Sequence, residues 1–296
     1  MTGTLRPDSL RTDGGRNVLR MERRLAHPPE KVWRALTAPA DLAQWFPAEV
    51  RLDLRAGGEV RFVFAGGEAP EGKGVITDLD PPRLLAFTWE GEHLRWELRP
   101  DGAGTVLTLE HTLDDRYGAA SFAAGWHTCI DAMDDLLAGR PVPPLAGAEA
   151  MAGRHDDLVV TLGLDEGTAE TTAEGWRVRF ERQMTRPAPR VWAALTGEGP
   201  LAAGDQGPSA LSLPGLPAGP VTEAEPPVLV ETEWLRDGTP AGRVRVELGD
   251  GTGQGARLVL VQTGSVTDPD AAAAECRTAL AGWRARLAAI AADLRR

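Results

Sequence analysis

The chain predicts an α+β fold made twice, each copy an antiparallel sheet wrapped around one long C-terminal helix. Three observations predict it. The first is length: 296 residues suit two domains better than one. The second is repetition. RMERRLAHPPEKVWRALT (Arg20 to Thr37) returns as RFERQMTRPAPRVWAALT (Arg179 to Thr196). GVITDLDPPRLLAFTW (Gly74 to Trp89) returns as GPVTEAEPPVLVETEW (Gly219 to Trp234). LTLEHT (Leu107 to Thr112) returns as LVLVQT (Leu258 to Thr263), and AGWH (Ala124 to His127) as AGWR (Ala281 to Arg284). Four collinear matches mark a tandem duplication. The third is order: each copy runs from strands to a single long helix. A run of antiparallel strands needs cover on its apolar face, and only that helix is large enough to give it.

The elements follow in turn. Asn17 to Leu25 reads as an extended segment with apolar alternation. Pro28 and Pro29 suit a first helical turn, and Glu30 to Leu36 makes a short helix with Val32, Trp33 and Leu36 on one face. Pro39 opens a second short helix ending near Trp45. Strands are expected over 50–54, 59–64, 74–79, 84–89, 94–99 and 105–112, separated by AGG, AGGEAPEG, DPP, EGE and PDGAG. Asp114 or Asp115 caps a last helix that runs to about Leu137 and closes at Gly139. The second copy ends alike, with Thr267 or Asp268 capping and Pro269 in the first turn. Between Thr196 and Gly219 it is shorter by about 14 residues, so a short helix and most of a strand hairpin are expected to be missing. The expected layout is a disordered tail over 1–16, a first domain over 17–140, a linker over 141–174 and a shortened second domain over 175–296. Within the linker, the stretch after RPVPPLAGAEA reads either as an extension of the preceding helix or as an element of its own.

Composition narrows the function classes. The net charge is −11, and no Lys/Arg run is long enough for a nucleic-acid stripe. The same charge disfavours an anionic membrane surface. No apolar run approaches the roughly 20 residues a bilayer span needs. The first residues lack an apolar h-region, so a cytoplasmic location is expected. Cys129 and Cys276 lie far apart, which fits a reducing compartment and small buried residues rather than nucleophiles. Only Lys31 and Lys73 are lysines, and the Arg, Ala, Gly and Pro content hints at a GC-rich, bacterial genome. His27, His93, His111, His127 and His155 show no metal-ligand spacing, and no phosphate-cradling glycine motif or GxSxG is present. Neither a metal nor a cofactor is expected, and no catalytic residue is assigned.

The tryptophans divide by copy. Trp33 pairs with Trp192, Trp89 with Trp234 and Trp126 with Trp283, which suggests packing roles shared by both copies, with cavity lining as an alternative for Trp126 and Trp283. Trp45, Phe46, Phe62, Phe64, Phe87, Trp96 and Phe122 have no aromatic counterpart in the second copy. Alternation puts Phe62 and Phe64 on one face, and Leu94, Trp96 and Leu98 on another. His111 shares a strand face with Leu107 and Leu109 and points inward, where it could orient a ligand, act as acid or base, or simply be a bonded core histidine. Its counterpart is Gln262, which cannot do proton chemistry near neutral pH. His127 is expected at the surface or a rim. The expected ligand-binding set is Trp45, Phe62, Phe64, Phe87, Trp89, Trp96, His111, Phe122 and Trp126, all in the first copy. A filled aromatic core is the competing reading.

HPPEKVWRALTAPADLAQWF, GGEVRF, DPPRLLAFTW, GTVLTLEHT and AGWH, in that order, resemble the SRPBCC (START-like) superfamily. Within it they are most similar to the family named after the C-terminal domain of the activator of the 90-kDa heat-shock-protein ATPase. The first copy carries the resemblance over roughly 17–140; the second, over 175–294, lacks the WF and GGEVRF segments. The resemblance implies a helix-grip fold and a cavity for an apolar small molecule. It does not imply co-chaperone activity, since nothing here resembles the activator's additional N-terminal domain. Three functions follow as expectations. The first is a binding module for an apolar or aromatic small molecule in the first copy. The second is a polyketide cyclase-, aromatase- or hydrolase-like enzyme using His111. The third is a protein-interaction or stress-related module without ligand, its partner unknown.

Overall fold

A computed structural model describes residues 5–63, 72–173, 175–253, 255–265 and 268–296. The chain divides into two compact units, Met1–Gly147 and Ala148–Arg296. Each is a single antiparallel sheet with a long helix at its C-terminal end.

In the first unit the order is β1 (Ser9–Asp13), β2 (Arg16–Leu25), α1 (Pro29–Thr37), α2 (Pro39–Trp45), β3 (Glu49–Leu52), β4 (Glu59–Val63), β5 (Gly72–Asp80), β6 (Leu84–Trp89), β7 (Glu92–Asp101), β8 (Gly104–Leu113) and α3 (Ala119–Leu137). The eight strands lie β1-β2-β8-β7-β6-β5-β4-β3. Alternation decides the buried face: Leu107, Leu109, His111 and Leu113 on β8 stand beside Leu94, Trp96 and Leu98 on β7. Against them α3 buries Ala119, Ala120, Ala123, Ala124, Trp126, Ile130 and Met133.

Both short helices begin on a proline, where the missing N–H costs nothing. The β6–β7 turn has only Glu90 and Gly91 between its strands, both at positive φ, 49° and 90°. Two positive-φ residues make a tight turn that matches sheet twist, and Gly91 is well suited to the second place.

The second unit repeats this plan with fewer parts. α4 (Ala148–Thr161) and β9 (Thr168–Thr171) precede β10 (Gly175–Gln183), α5 (Ala188–Thr196), β11 (Ala218–Glu225), β12 (Leu229–Arg236), β13 (Thr239–Asp250), β14 (Ala256–Ser265) and α6 (Pro269–Asp293). The sheet order is β11-β12-β13-β14-β10-β9. It matches β5-β6-β7-β8-β2-β1 of the first unit, so the counterparts of β3, β4 and α2 are what the shorter copy lacks. Asp268 caps α6 by accepting from the Ala271 amide.

Three expectations need correction. Residues 9–13, expected as disordered tail, form β1 and pair with β2 from Ser9↔Arg20 to Asp13↔Arg16. The polar strand is held by backbone pairing and by ion pairs such as Arg11–Glu110 and Asp8–Arg23, which composition does not reveal. Residues 148–161, within the expected linker, take the second of the two readings offered and form an element of their own, a helix of the second unit with Ala152, Leu158 and Val159 buried, so that unit begins earlier than residue 175. The long helix of the first unit starts later than expected. A 3-10 turn over Arg116–Gly118 intervenes, so neither Asp114 nor Asp115 caps α3.

Candidate functional site

A cavity of about 360 Å³ opens between α3 and the β6–β7 end of the first sheet. Its helical wall is Ser121, Phe122, Gly125, Trp126 and Cys129. Spacings of four between Ser121, Gly125 and Cys129, and between Phe122 and Trp126, put all five on one stripe of α3. The sheet supplies Trp89, Glu90, Glu92 and His111, and Pro47, just past α2, closes one side. The walls are mainly apolar, with Trp89, Phe122 and Trp126 their largest side chains, as in most small-molecule sites.

One polar chain crosses this lining. His111 is 1% exposed, and its Nδ1 accepts the indole N–H of Trp126 at 3.1 Å. A neutral imidazole carries one proton, so that proton sits on Nε2. Nε2–H then donates to Glu92 Oε2 at 2.7 Å. Both ring nitrogens are therefore engaged within the protein, and Glu92, a quarter exposed, meets the cavity together with Glu90 and Ser121. Phe122 packs edge-on against the imidazole, with ring centroids 4.8 Å apart. The neighbouring His93 bonds the Thr77 hydroxyl at 2.8 Å. Burial first, then Arg95, Arg16 and His111, hold its pKa below the usual histidine value, so it stays neutral at neutral pH.

Cys129 also faces the cavity. Burial pushes its thiol up to about 12, so it remains a thiol and a poor nucleophile. Among the described residues no three His, Cys, Asp or Glu side chains come together as a metal site.

Of the nine expected ligand-binding residues, Trp89, His111, Phe122 and Trp126 line the cavity. Trp45, Phe62, Phe87 and Trp96 do not: they lie deeper, in a filled aromatic core. There Trp45 meets Trp96 edge-on at 6.0 Å, and Phe62 stacks on Trp89 at 4.7 Å. The Trp45 indole N–H donates to the Ala35 carbonyl at 2.9 Å, which fixes α2 onto α1. Phe64 lies outside the described residues. His127 is half-buried and pairs with Asp8 at 2.7 Å, away from the cavity lining. Glu92 escaped the sequence reading, although alternation back from Trp96 through Leu94 leads to it. A glutamate beside a turn reads as solvated surface.

The second unit keeps one part of this arrangement. Trp283 donates its indole N–H to Gln262 Oε1 at 2.6 Å, as Trp126 donates to His111. The rest differs. Trp89 lies across from Glu92, whereas Trp234 lies across from Gly242. Asn17 lies across from Leu113, whereas Trp176 lies across from Gly264. A Cβ at Gly264 would come within 2.3 Å of the Trp176 ring, so loss of that side chain is what admits the indole. Trp176 and Trp234 are buried, with ring centroids 5.8 Å apart.

Residues 26–138 match the family model described as Activator of Hsp90 ATPase homolog 1-like protein. The match lies within the first unit. Among solved structures the chain is similar to CalU16 from Micromonospora echinospora, at 26% identity over 52% of this chain and 95% of that one, with a TM-score of 0.43. It is also similar to a conserved protein of unknown function from Enterococcus faecalis, at 21% identity over 52% of this chain and 91% of that one, with a TM-score of 0.45. A third is protein NE0264 from Nitrosomonas europaea, at 27% identity over 41% and 94%, with a TM-score of 0.37. No curated protein matches the chain. Among the described residues no helix is long and apolar enough to cross a membrane.

Proposed function

We propose that the first unit is a binding module for an apolar, aromatic small molecule, seated between Trp89, Phe122 and Trp126. The observation that carries this reading is the cavity of about 360 Å³ with an aromatic wall and one bonded polar chain, Glu92–His111–Trp126. A volume of this size lies at the small end of ligand pockets. The second unit, where Trp176 and Trp234 pack together at the matching end, serves as scaffold.

An enzyme of the cyclase, aromatase or hydrolase kind is the second reading, and the carboxylate–imidazole pair favours it. Against it stands the hydrogen bonding of His111: its lone pair already accepts from Trp126 and its proton already goes to Glu92, so no free base nitrogen faces the cavity. Any proton transfer falls to the carboxylates Glu92 and Glu90.

Gly125 offers a clean test. It lines the cavity, and a Cβ there meets nothing within 4 Å. Gly125→Leu should fill the cavity while raising helix propensity by about 1 kcal/mol. The expected result is a wild-type protein whose melting temperature rises with neutral aromatic probes such as 2-naphthylmethanol, and a variant at least as stable that no longer responds. A response that survives in Gly125→Leu, or is absent from the wild type, contradicts the proposal.

A further inference from the structure

The charges around the cavity are one-sided. Glu90 and Glu92 line it, and among the described residues no Arg or Lys does. Arg16, which reaches this end of the sheet, gives its guanidinium to the Gly91 carbonyl and the Asp114 carboxylate, both at 2.9 Å. The His111 proton satisfies one oxygen of Glu92, which leaves the other without a partner from that contact. A carboxylate at the edge of a low-dielectric, aromatic-walled space repels an anion and attracts a cation more strongly than it would in water.

The second unit gives an independent indication. Its tryptophan matching Trp89 is Trp234, and the guanidinium of Arg236 lies 5.4 Å from that ring's centroid. Glu275 holds Arg236 in place through bonds of 2.6 and 2.7 Å. One copy of the repeat thus carries its own cation on this tryptophan, held by a carboxylate. The other has the tryptophan and two carboxylates but no cation of its own lining the space. Cation–π attraction favours such a pairing.

We infer that the first-unit cavity selects an organic cation, an ammonium group carried on a flat apolar body. Its flat part stacks among Trp89, Phe122 and Trp126, and its ammonium donates to Glu92 and faces Glu90. Carboxylic acids of the same shape are excluded by like charge. This inference rests on the small-molecule reading above and adds the ligand's charge to it.

Three probes sharing one ring system test it: 2-naphthylmethylamine, 2-naphthylmethanol and 2-naphthoate, titrated into the full chain by calorimetry at neutral pH. The amine should bind at least about tenfold more tightly than the alcohol, and the acid should bind weakest. Glu92→Gln and Glu90→Gln should each shrink the amine's advantage over the alcohol measured on the same variant. Glu90 is exposed on the turn, so its variant folds even if loss of the Glu92–His111 bond disturbs the protein. Equal binding of the amine and the acid, or a preference for the acid, overturns the charge inference and leaves the cavity reading standing. No binding by any of the three overturns both.

Discussion

The same end of the same fold carries an aromatic cavity against the long helix in the first unit and a pair of packed tryptophans in the second. Both units set a tryptophan of the long helix against a polar residue of the sheet, Trp126 on His111 and Trp283 on Gln262. Both carry a tryptophan at the end of the matching strand, Trp89 and Trp234. In the second unit, glycines stand where the first has Glu92 and Leu113, and the freed space holds Trp176 and the inward-turned Trp234. Trp234 is fully buried and its N–H bonds the Thr263 carbonyl at 2.7 Å; Trp89 is half-buried on the cavity wall. The lesson is that a helix-grip unit does not hold a cavity by virtue of its fold. A few side chains at one end decide whether the space admits a ligand or stabilises the unit itself.

The largest expected effect that separates the two is at these paired tryptophans. Trp234→Ala should cost about 3–5 kcal/mol, the usual range for emptying a buried aromatic site. Trp89→Ala, which removes a half-exposed ring, should cost clearly less, and urea unfolding followed by tryptophan fluorescence would measure both. Equal losses would mean that Trp89 is as much a core residue as its counterpart.

Next in size is the glycine that admits Trp176. Gly264→Ala places a Cβ 2.3 Å from the indole and should destabilise by about 1–3 kcal/mol, although alanine normally suits a strand better than glycine. Adding Trp176→Ala should recover part of the Gly264→Ala loss, since the two sites are in contact. A double variant that loses the plain sum of the two single losses would show that the ring and the glycine are unrelated.

A smaller effect concerns the shared polar bond. His111→Gln copies the second unit and lets the glutamine oxygen accept the Trp126 N–H, so it should cost under about 1 kcal/mol. His111→Leu strands that N–H in the interior and should cost about 1–3 kcal/mol. Thermal unfolding of the two variants gives the ranking, and the reverse order would contradict the hydrogen-bond assignment.

The smallest effect is one of pH. Burial raises the pKa of Asp8, but hydrogen bonds from His127 and Arg23 outweigh it and leave the carboxyl below its usual value. A depressed carboxyl stabilises the fold above its unfolded pKa, and that share is lost as pH falls through the folded value. Asp8→Asn should therefore cost stability near pH 7, where the wild-type carboxylate is charged and bonded, and the gap from wild type should close as pH falls below about 4. In the second unit Asp156, lowered by His155 and Arg182 against the effect of burial, should behave alike.

The sequence showed the duplication, the strand order and the missing hairpin because each rests on local pattern: repeated words, period-two alternation and turn residues. It also showed that His111 points inward. It did not separate Trp45, Phe62, Phe87 and Trp96 from Trp89, Phe122 and Trp126. Alternation says which face a residue takes, whereas lining or filling depends on its depth along the helix, set by strand pairing across the whole sheet. Glu92 was hidden for another reason. Its role comes from a neighbour 19 residues away, which ladder register brings to 2.7 Å. β1 was hidden because a polar edge strand has no apolar pattern, and its order comes from its partner.

The most direct test that the first unit binds the ligand and the second does not is nuclear magnetic resonance of the nine tryptophan indole N–H groups, titrated with neutral 2-naphthylmethanol. The account predicts saturable shifts of the Trp89 and Trp126 signals while Trp176, Trp234 and Trp283 stay in place. Shifts of the second unit's signals to the same degree, or no shift at Trp89 and Trp126, would contradict it.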